Sequence, residues 1–200
     1  MTDPDTIAVY DARAADYAAR FAAVPPDLAP FAALLPEGAR VLDLGCGPGH
    51  CAAWLAARGV EAHAWDASQA MVDLAAAHPG VRARLATFDD LDGVADWDGV
   101  WASFSLLHAP RAAFGGLLGA IARATRTGGA VHVAMKTGAG EARDGIGRRY
   151  SYVSEAEMRD HMERAGLRLR ATRRGADAGL SGEVAPWCAM TAIKAQEVPA

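Results

Sequence analysis

Apolar residues recur along this chain at two spacings, and the two alternate. From Asp5 to Ala22, the residues Ile7, Tyr10, Ala14, Tyr17 and Phe21 fall three or four apart, which marks one face of an amphipathic helix. Pro25, Pro26 and Pro30 interrupt it, a short helix from Asp27 to Leu35 follows, and Pro36-Glu37-Gly38 forms a turn. Short apolar runs then take over at 40–44, 60–65, 81–88, 99–104 and 130–136, each short enough for a strand. Between them lie helical stripes, over 50–58, at Ala70, Met71, Leu74, Ala75 and His78, and at Phe114, Leu117, Leu118 and Ile121. Strands alternating with helices at this pitch predict an α/β fold, a parallel sheet covered on both faces. The glycine-rich, charged stretch 137–152 reads as a loop too long to be a mere connection. Ser154-Glu155-Ala156-Glu157 is a capping box that starts a helix to about Ala165, and strands over 167–173 and 187–194 close the chain. The expected organisation is a single domain: a helical flap over 1–36 and the α/β body over 37–200.

The chemistry concentrates where the first strand ends. Val41-Leu42-Asp43-Leu44 runs into Gly45-Cys46-Gly47-Pro48-Gly49-His50. Glycines on alternate positions remove the Cβ atoms where a ligand approaches the backbone, and the helix that follows aims its free N–H groups at the turn. The dinucleotide fingerprint needs its third glycine one place later, where His50 stands. Asp66, at the end of the second strand, is placed to accept bonds from two ribose hydroxyls. Asp43 either orients a cationic or amino group or braces the turn.

These segments resemble the class I S-adenosylmethionine-dependent methyltransferases. VLDLGCGPG (41–49) is close to that family's best-known motif, and Asp66-Ala67-Ser68-Gln69-Ala70-Met71 resembles its second-strand segment. Phe88-Asp89-Asp90-Leu91, the run from Asp98 to His108, and Thr127-Gly128-Gly129 match later segments, so the motifs cover about 37–136. Within the family the chain is most similar to small bacterial enzymes of the ubiquinone-biosynthesis and tellurite-resistance type, some of which share the Lys-x-Gly-x-Gly-Glu run at 136–141. The resemblance implies a Rossmann-like three-layer sandwich with a seven-stranded sheet in the order 3-2-1-4-5-7-6, the last strand antiparallel. It implies a site for S-adenosylmethionine, with S-adenosylhomocysteine as product and no metal. Gly45 and Gly47, with Asp43 and Cys46 of the same motif, would hold the methionine part. Asp66 and Ala67 would hold the ribose, Met71 and Phe88 the adenine faces, and Asp89 the adenine amino group, with Asp90 as its alternative. Ser103 would flank the methionine carboxylate.

For the acceptor, two readings stand at each candidate. His108, at the mouth of the crevice, is a base or substrate contact, or it caps the loop before Pro110. Lys136 binds an anionic group, or it is a solvated strand end. Tyr10 and Tyr17 pack in the core, or they belong to a lid that touches ligand. Arg148, Arg149, Tyr150 and Tyr152 form a solvated cluster, or a substrate cap for an anion.

Charge and cysteine content narrow the partners. Twenty basic against 24 acidic residues leave a net charge of −4, which gives no case for a nucleic-acid partner. Three cysteines without paired or zinc spacing read as reduced thiols, which favours a cytoplasmic protein. No stretch reaches the ~20 apolar residues of a membrane span. The expectation is a methyltransferase acting on a small molecule. The alternatives are an NAD(P)-dependent oxidoreductase and a non-catalytic S-adenosylmethionine-binding protein.

Overall fold

The computed structural model describes residues 3–196. Strands β1 (Arg40–Leu44), β2 (Glu61–Asp66), β3 (Val81–Leu85), β4 (Trp97–Ser103) and β5 (Thr125–Lys136) pair in parallel. A small ribbon of β6 (Glu141–Arg143) and β7 (Arg149–Ser151) follows, before β8 (Leu167–Ala178) and β9 (Val184–Lys194) rejoin the sheet. The order is β3-β2-β1-β4-β5-β9-β8, with β9 antiparallel to both neighbours. Counting only the seven sheet strands, this is the expected 3-2-1-4-5-7-6 topology.

Seven α-helices accompany the strands among the described residues: α1 (Pro4–Ala12), α2 (Ala14–Arg20), α3 (Leu28–Ala32), α4 (His50–Ala56), α5 (Gln69–Ala76), α6 (Phe114–Ala124) and α7 (Glu155–Arg164). The period of two along each strand sorts the core into two layers. Val41, Ala62, Ala64, Trp101 and Ala130 pack with Phe31, Leu55 and Ala75 on one side of the sheet. Leu42, Val100, Val131 and Met135 pack with Leu117, Leu118, Ile121 and Met158 on the other. Trp101 centres the first layer: Phe31 meets it edge-on at 5.2 Å and His132 stacks on it at 3.8 Å. Gly99 makes room for this packing, since a Cβ there would stand 2.9 Å from the Phe31 ring and 2.8 Å from Leu35.

Two expectations need correction. The stripe from Asp5 to Ala22 is two helices, not one, because Arg13 leaves helical geometry (φ −121°, ψ 18°). The break brings the Tyr10 and Tyr17 rings edge to face at 5.6 Å. The stretch 137–152 is not a plain loop: β6 and β7 pair with Ala142 opposite Tyr150, and Asp144 accepts the Ile146 and Arg148 N–H groups at the ribbon's tip. Strands of three residues are too short for an alternation to show in sequence. The rest of the sheet has the expected layered form, thinned on one flank. The β3–β4 crossover holds only a 3-10 turn, Phe88–Asp90, so part of β2 and β3 is screened by side chains instead. There the Arg40 guanidinium lies 4.4 Å from the Trp97 ring and that of Arg84 4.7 Å from Trp65.

Phe31 is fully buried and α3 has only five residues to hold it. Truncation by Phe31→Ala should therefore cost about 3–5 kcal/mol in a urea titration, the usual cost for a core phenylalanine. A loss under about 1 kcal/mol, within the range of surface changes, would contradict this packing account.

Candidate active site

The turn after β1 takes positive φ at three glycines: Gly45 (74°), Gly47 (53°) and Gly49 (83°). Only glycine adopts this region at little cost. A Cβ at position 45 would also lie 2.2 Å from Ser105 Cβ. The N–H groups of Gly45 and Cys46 donate to the Trp65 carbonyl at 2.7 and 3.0 Å, which stitches the turn to β2. Asp66 completes the stitch, with one carboxylate oxygen accepting from Gly47 N at 2.8 Å and the other from Ser68 N at 2.9 Å. Ser68 then caps α5 by accepting from Met71 N.

Beside the turn opens a cleft between the sheet and helix α1. Gly45, Gly47, Asp66, Ala67, Met71, Phe88 and Ser103 line it from the sheet side. Tyr10, Tyr17 and His108 line it from the opposite side, so both tyrosines face the cleft rather than only the core. Other candidates stand outside it. Cys46 turns its thiol to the Gly47 carbonyl at 3.3 Å. Asp89 lies exposed on the outer side of its 3-10 turn, and Asp90 is engaged there in a capping box with Thr87. Lys136, Arg149 and Tyr150 lie behind the His108 wall rather than on it.

Asp43 sits under the glycine turn. It stands near the Ala52 N–H of α4, which favours its charged form, and its Oδ2 is buried with no hydrogen-bond partner. Burial, reinforced by the nearby Asp66 carboxylate, pushes its pKa up to about 8. Ser105 Oγ is a second buried orphan, beside Gly45. Two unsatisfied polar groups beneath a Cβ-free cradle, with Asp66 alongside, fit a ligand that brings an amino group and a ribose.

On the acceptor side the protons can be placed. His108 Nδ1 lies 2.7 Å from the Arg149 carbonyl, which can only accept, so Nδ1 carries the hydrogen. Nε2 is then the acceptor for Tyr10 OH at 2.8 Å. Burial holds His108 neutral, with its pKa pushed down to about 4, and raises Tyr10 to about 12. Arg148 donates to the same phenol oxygen at 2.8 Å, and Asp144 grips that guanidinium through Nε and Nη2 at 3.0 and 2.7 Å.

Helix α1 is strapped across the cleft at both ends. Asp3 takes a two-pronged contact from Arg143, with both bonds 2.9 Å, which pulls its pKa down to about 2. Arg149 N donates to Thr6 Oγ at 2.8 Å, while at the other end Asp11 accepts from Ser68 Oγ at 2.6 Å and Ala70 N at 3.2 Å. Asp3, Asp11, Asp144 and Arg143 escaped the sequence reading. Three of these partners are far apart in the chain, and the Asp144 and Arg148 spacing of four has no helix around it to signal contact.

Comparison with known proteins agrees with this geometry. Residues 41–129 match the family model described as a methyltransferase domain. Over that span the chain is similar to methyltransferase domains. No curated protein sequence matches it. Among solved structures, it is similar to the Burkholderia thailandensis 1,6-didemethyltoxoflavin-N1-methyltransferase, which holds 1,6-didemethyltoxoflavin and S-adenosylhomocysteine. There the identity is 22%, coverage 96% of this chain and 88% of that one, and the TM-score 0.75. It is similar to a methyltransferase in complex with the Haloferax volcanii Trm112 activator (21% identity, 98% and 99% coverage, TM-score 0.74). A TehB-like methyltransferase from Corynebacterium glutamicum is a third (19%, 96% and 100%, TM-score 0.66). At these identities the likeness is one of fold. Among the described residues no cluster of side chains suits a metal ion, and no helix is long and apolar enough to cross a membrane.

Asp43 supplies a test of the cofactor end. With its pKa near 8, it is mostly protonated at pH 7, and an arriving ammonium favours its charged form. Binding S-adenosylhomocysteine at pH 7 should release up to about one proton, read as a dependence of calorimetric enthalpy on the buffer's ionisation enthalpy. The dependence should vanish in Asp43→Asn; a wild type without it would contradict the assignment.

Proposed function

We propose that the protein methylates a small molecule through a protic oxygen or nitrogen, and that His108 receives the acceptor's proton by way of the Tyr10 phenol. The observation that carries this reading is the Tyr10–His108 hydrogen bond at the wall of the cleft, with its tautomer set by the Arg149 carbonyl. Bound S-adenosylmethionine supplies an electrophilic methyl group whose leaving group needs no proton. The chain's task is then to position the acceptor and accept one proton. Tyr10 OH donates to His108 and accepts from Arg148, which leaves one lone pair open to an acceptor hydroxyl or N–H. As the acceptor's nucleophilic atom takes the methyl group, its proton passes to Tyr10 Oη and the Tyr10 proton passes to His108 Nε2.

The Burkholderia relative with a bound heterocyclic acceptor supports a small-molecule substrate. The Haloferax relative, seen with an activator protein, supports keeping a protein partner in view. The free state of Cys46, Cys51 and Cys188 supports a reducing, cytoplasmic setting. In the same reading, residues 1–36 serve as the flap of a single domain.

Methyl-labelled S-adenosylmethionine incubated with the protein and a deproteinised metabolite extract should place label in a small molecule. Tyr10→Phe and His108→Asn should each lower turnover by roughly 10²-fold, the usual worth of acid–base help, while S-adenosylhomocysteine still binds. Cofactor binding with no transfer from any extract would favour a non-catalytic binding protein. Tight NAD(P) binding without S-adenosylhomocysteine binding would favour an oxidoreductase.

The pH profile adds a sign. A histidine whose pKa falls from 6.5 to about 4 stays available as a base as pH drops through 6.5, so turnover should decline only toward pH 4. An acid limb centred at 6.5 would contradict a buried, neutral His108. The same shift makes folding stability decline as pH falls through that window, because the unfolded chain binds the proton first.

A further inference from the structure

Phe104 follows β4 in the left-handed region, with φ at 55°. For a bulky side chain this conformation is strained, and it persists only where the surroundings hold it. Here the Phe104 N–H donates to the Ala134 carbonyl of β5 at 2.9 Å, and its ring stands edge to face with Trp187 of β9 at 6.0 Å. Trp187 is fixed in turn by its Nε1–H, which donates to Asp177 at 2.7 Å. The result is an apolar ring on the wall of the cleft, still 37% exposed. Its place separates it from the cofactor cradle. Gly45, Gly47, Asp66, Met71 and Phe88 belong to the β1–β2–β3 side of the cleft. Phe104 lies past the end of β4 toward β5, on the segment that also carries His108. Tyr10 and Tyr17 add two more rings to the lining, from α1 and α2.

A ring held on a cleft wall against backbone strain gains most from a ligand that covers it, and rings cover rings with a geometry of their own. We propose that Phe104 is the ring-binding residue of the acceptor subsite, so that the methyl acceptor is an uncharged aromatic compound bearing a hydroxyl or N–H. The proposal rests on the methyltransferase reading above and names its substrate class. The charges around the cleft agree with it. Among the described residues no lysine or arginine lines the cleft, and Arg143 and Arg148 behind its wall are held by Asp3 and Asp144. The carboxylates that do line it are engaged too, Asp3 by Arg143 and Asp66 by the N–H groups of Gly47 and Ser68. A charged acceptor would enter without a free partner of opposite sign. The proton route points the same way. An aryl hydroxyl is an acid of the same class as the Tyr10 phenol through which its proton passes, whereas an aliphatic alcohol is far weaker.

The test uses full-length protein saturated with S-adenosylhomocysteine, with its phenylalanine rings carbon-labelled for NMR. The chain has five phenylalanines, so the spectrum is simple, and Phe104→Tyr, which keeps a ring, assigns the Phe104 signal by its loss. The probe is 2-naphthol, titrated against the saturated alcohol decahydro-2-naphthol and the anion 2-naphthoate. 2-Naphthol should move the Phe104 signal and bind at least about tenfold more tightly than either comparator, a preference of ~1.4 kcal/mol. Its advantage over the saturated alcohol should persist in Phe104→Tyr and fall by about threefold or more in Phe104→Leu, the worth of one aromatic pair. S-adenosylhomocysteine affinity should be the same in all three proteins. Equal or tighter binding of either comparator, an unmoved Phe104 signal, or an advantage undiminished in Phe104→Leu would overturn the subsite. The wild-type signal and affinity ratios decide the matter even if Phe104→Leu fails to fold. Failure of S-adenosylhomocysteine to bind the wild type would instead remove the methyltransferase reading on which the subsite stands.

Discussion

The backbones at the ends of β1 and β4 approach so closely that position 45 has room for a hydrogen atom but not a carbon: a Cβ would stand 2.2 Å from that of Ser105. The rest of the site depends on this approach. It lets the turn bend at positive φ, direct its N–H groups to Trp65 and Asp66, and leave a bare cradle facing the cleft. It also sets Asp43 beneath the cradle, with its Oδ2 left for a ligand. A carboxyl group buried in that way is held protonated until a positive partner arrives, so the site carries a stored preference for an amino group.

The second half of the site is built by distant chain segments meeting over this cradle. Helix α1 is fastened to the β6–β7 ribbon by Asp3 and Thr6, and to the start of α5 by Asp11. Between the fastenings it presents Tyr10 to His108. The Arg148–Asp144 pair beneath Tyr10 has side chains only 2% and 3% exposed. Pairs buried so deeply contribute little net stability and more to geometry. Here the geometry is the orientation of one phenol: with Arg148 donating, the Tyr10 proton can only point to His108.

The parallel sheet was legible in the sequence because five short apolar runs alternate with helical stripes, while the strand order came from the resemblance. The cradle was legible because glycine spacing and the two aspartates report local backbone demands. The ribbon was hidden, since its strands have three residues each and their pairing is sealed by Asp144 at the tip. The strap was hidden for another reason. Asp3 and Arg143 are 140 residues apart, and nothing local distinguishes them from solvated charges. Tyr10 and Tyr17 sat at helical spacing, which favoured core packing, and only the break at Arg13 and the cleft beyond reveal a second use for their polar ends. The bare flank of β2 and β3 follows from a crossover without an α-helix, where paired Arg and Trp side chains do the covering.

Calorimetry on Gly45→Ala tests the central claim, that the close approach at position 45 creates the cofactor cradle. The account predicts that wild-type protein binds S-adenosylhomocysteine and not NAD. In Gly45→Ala the affinity should fall at least about tenfold, or ~1.4 kcal/mol, in a variant that still unfolds cooperatively. A Gly45→Ala protein that binds S-adenosylhomocysteine as tightly as the wild type would contradict it.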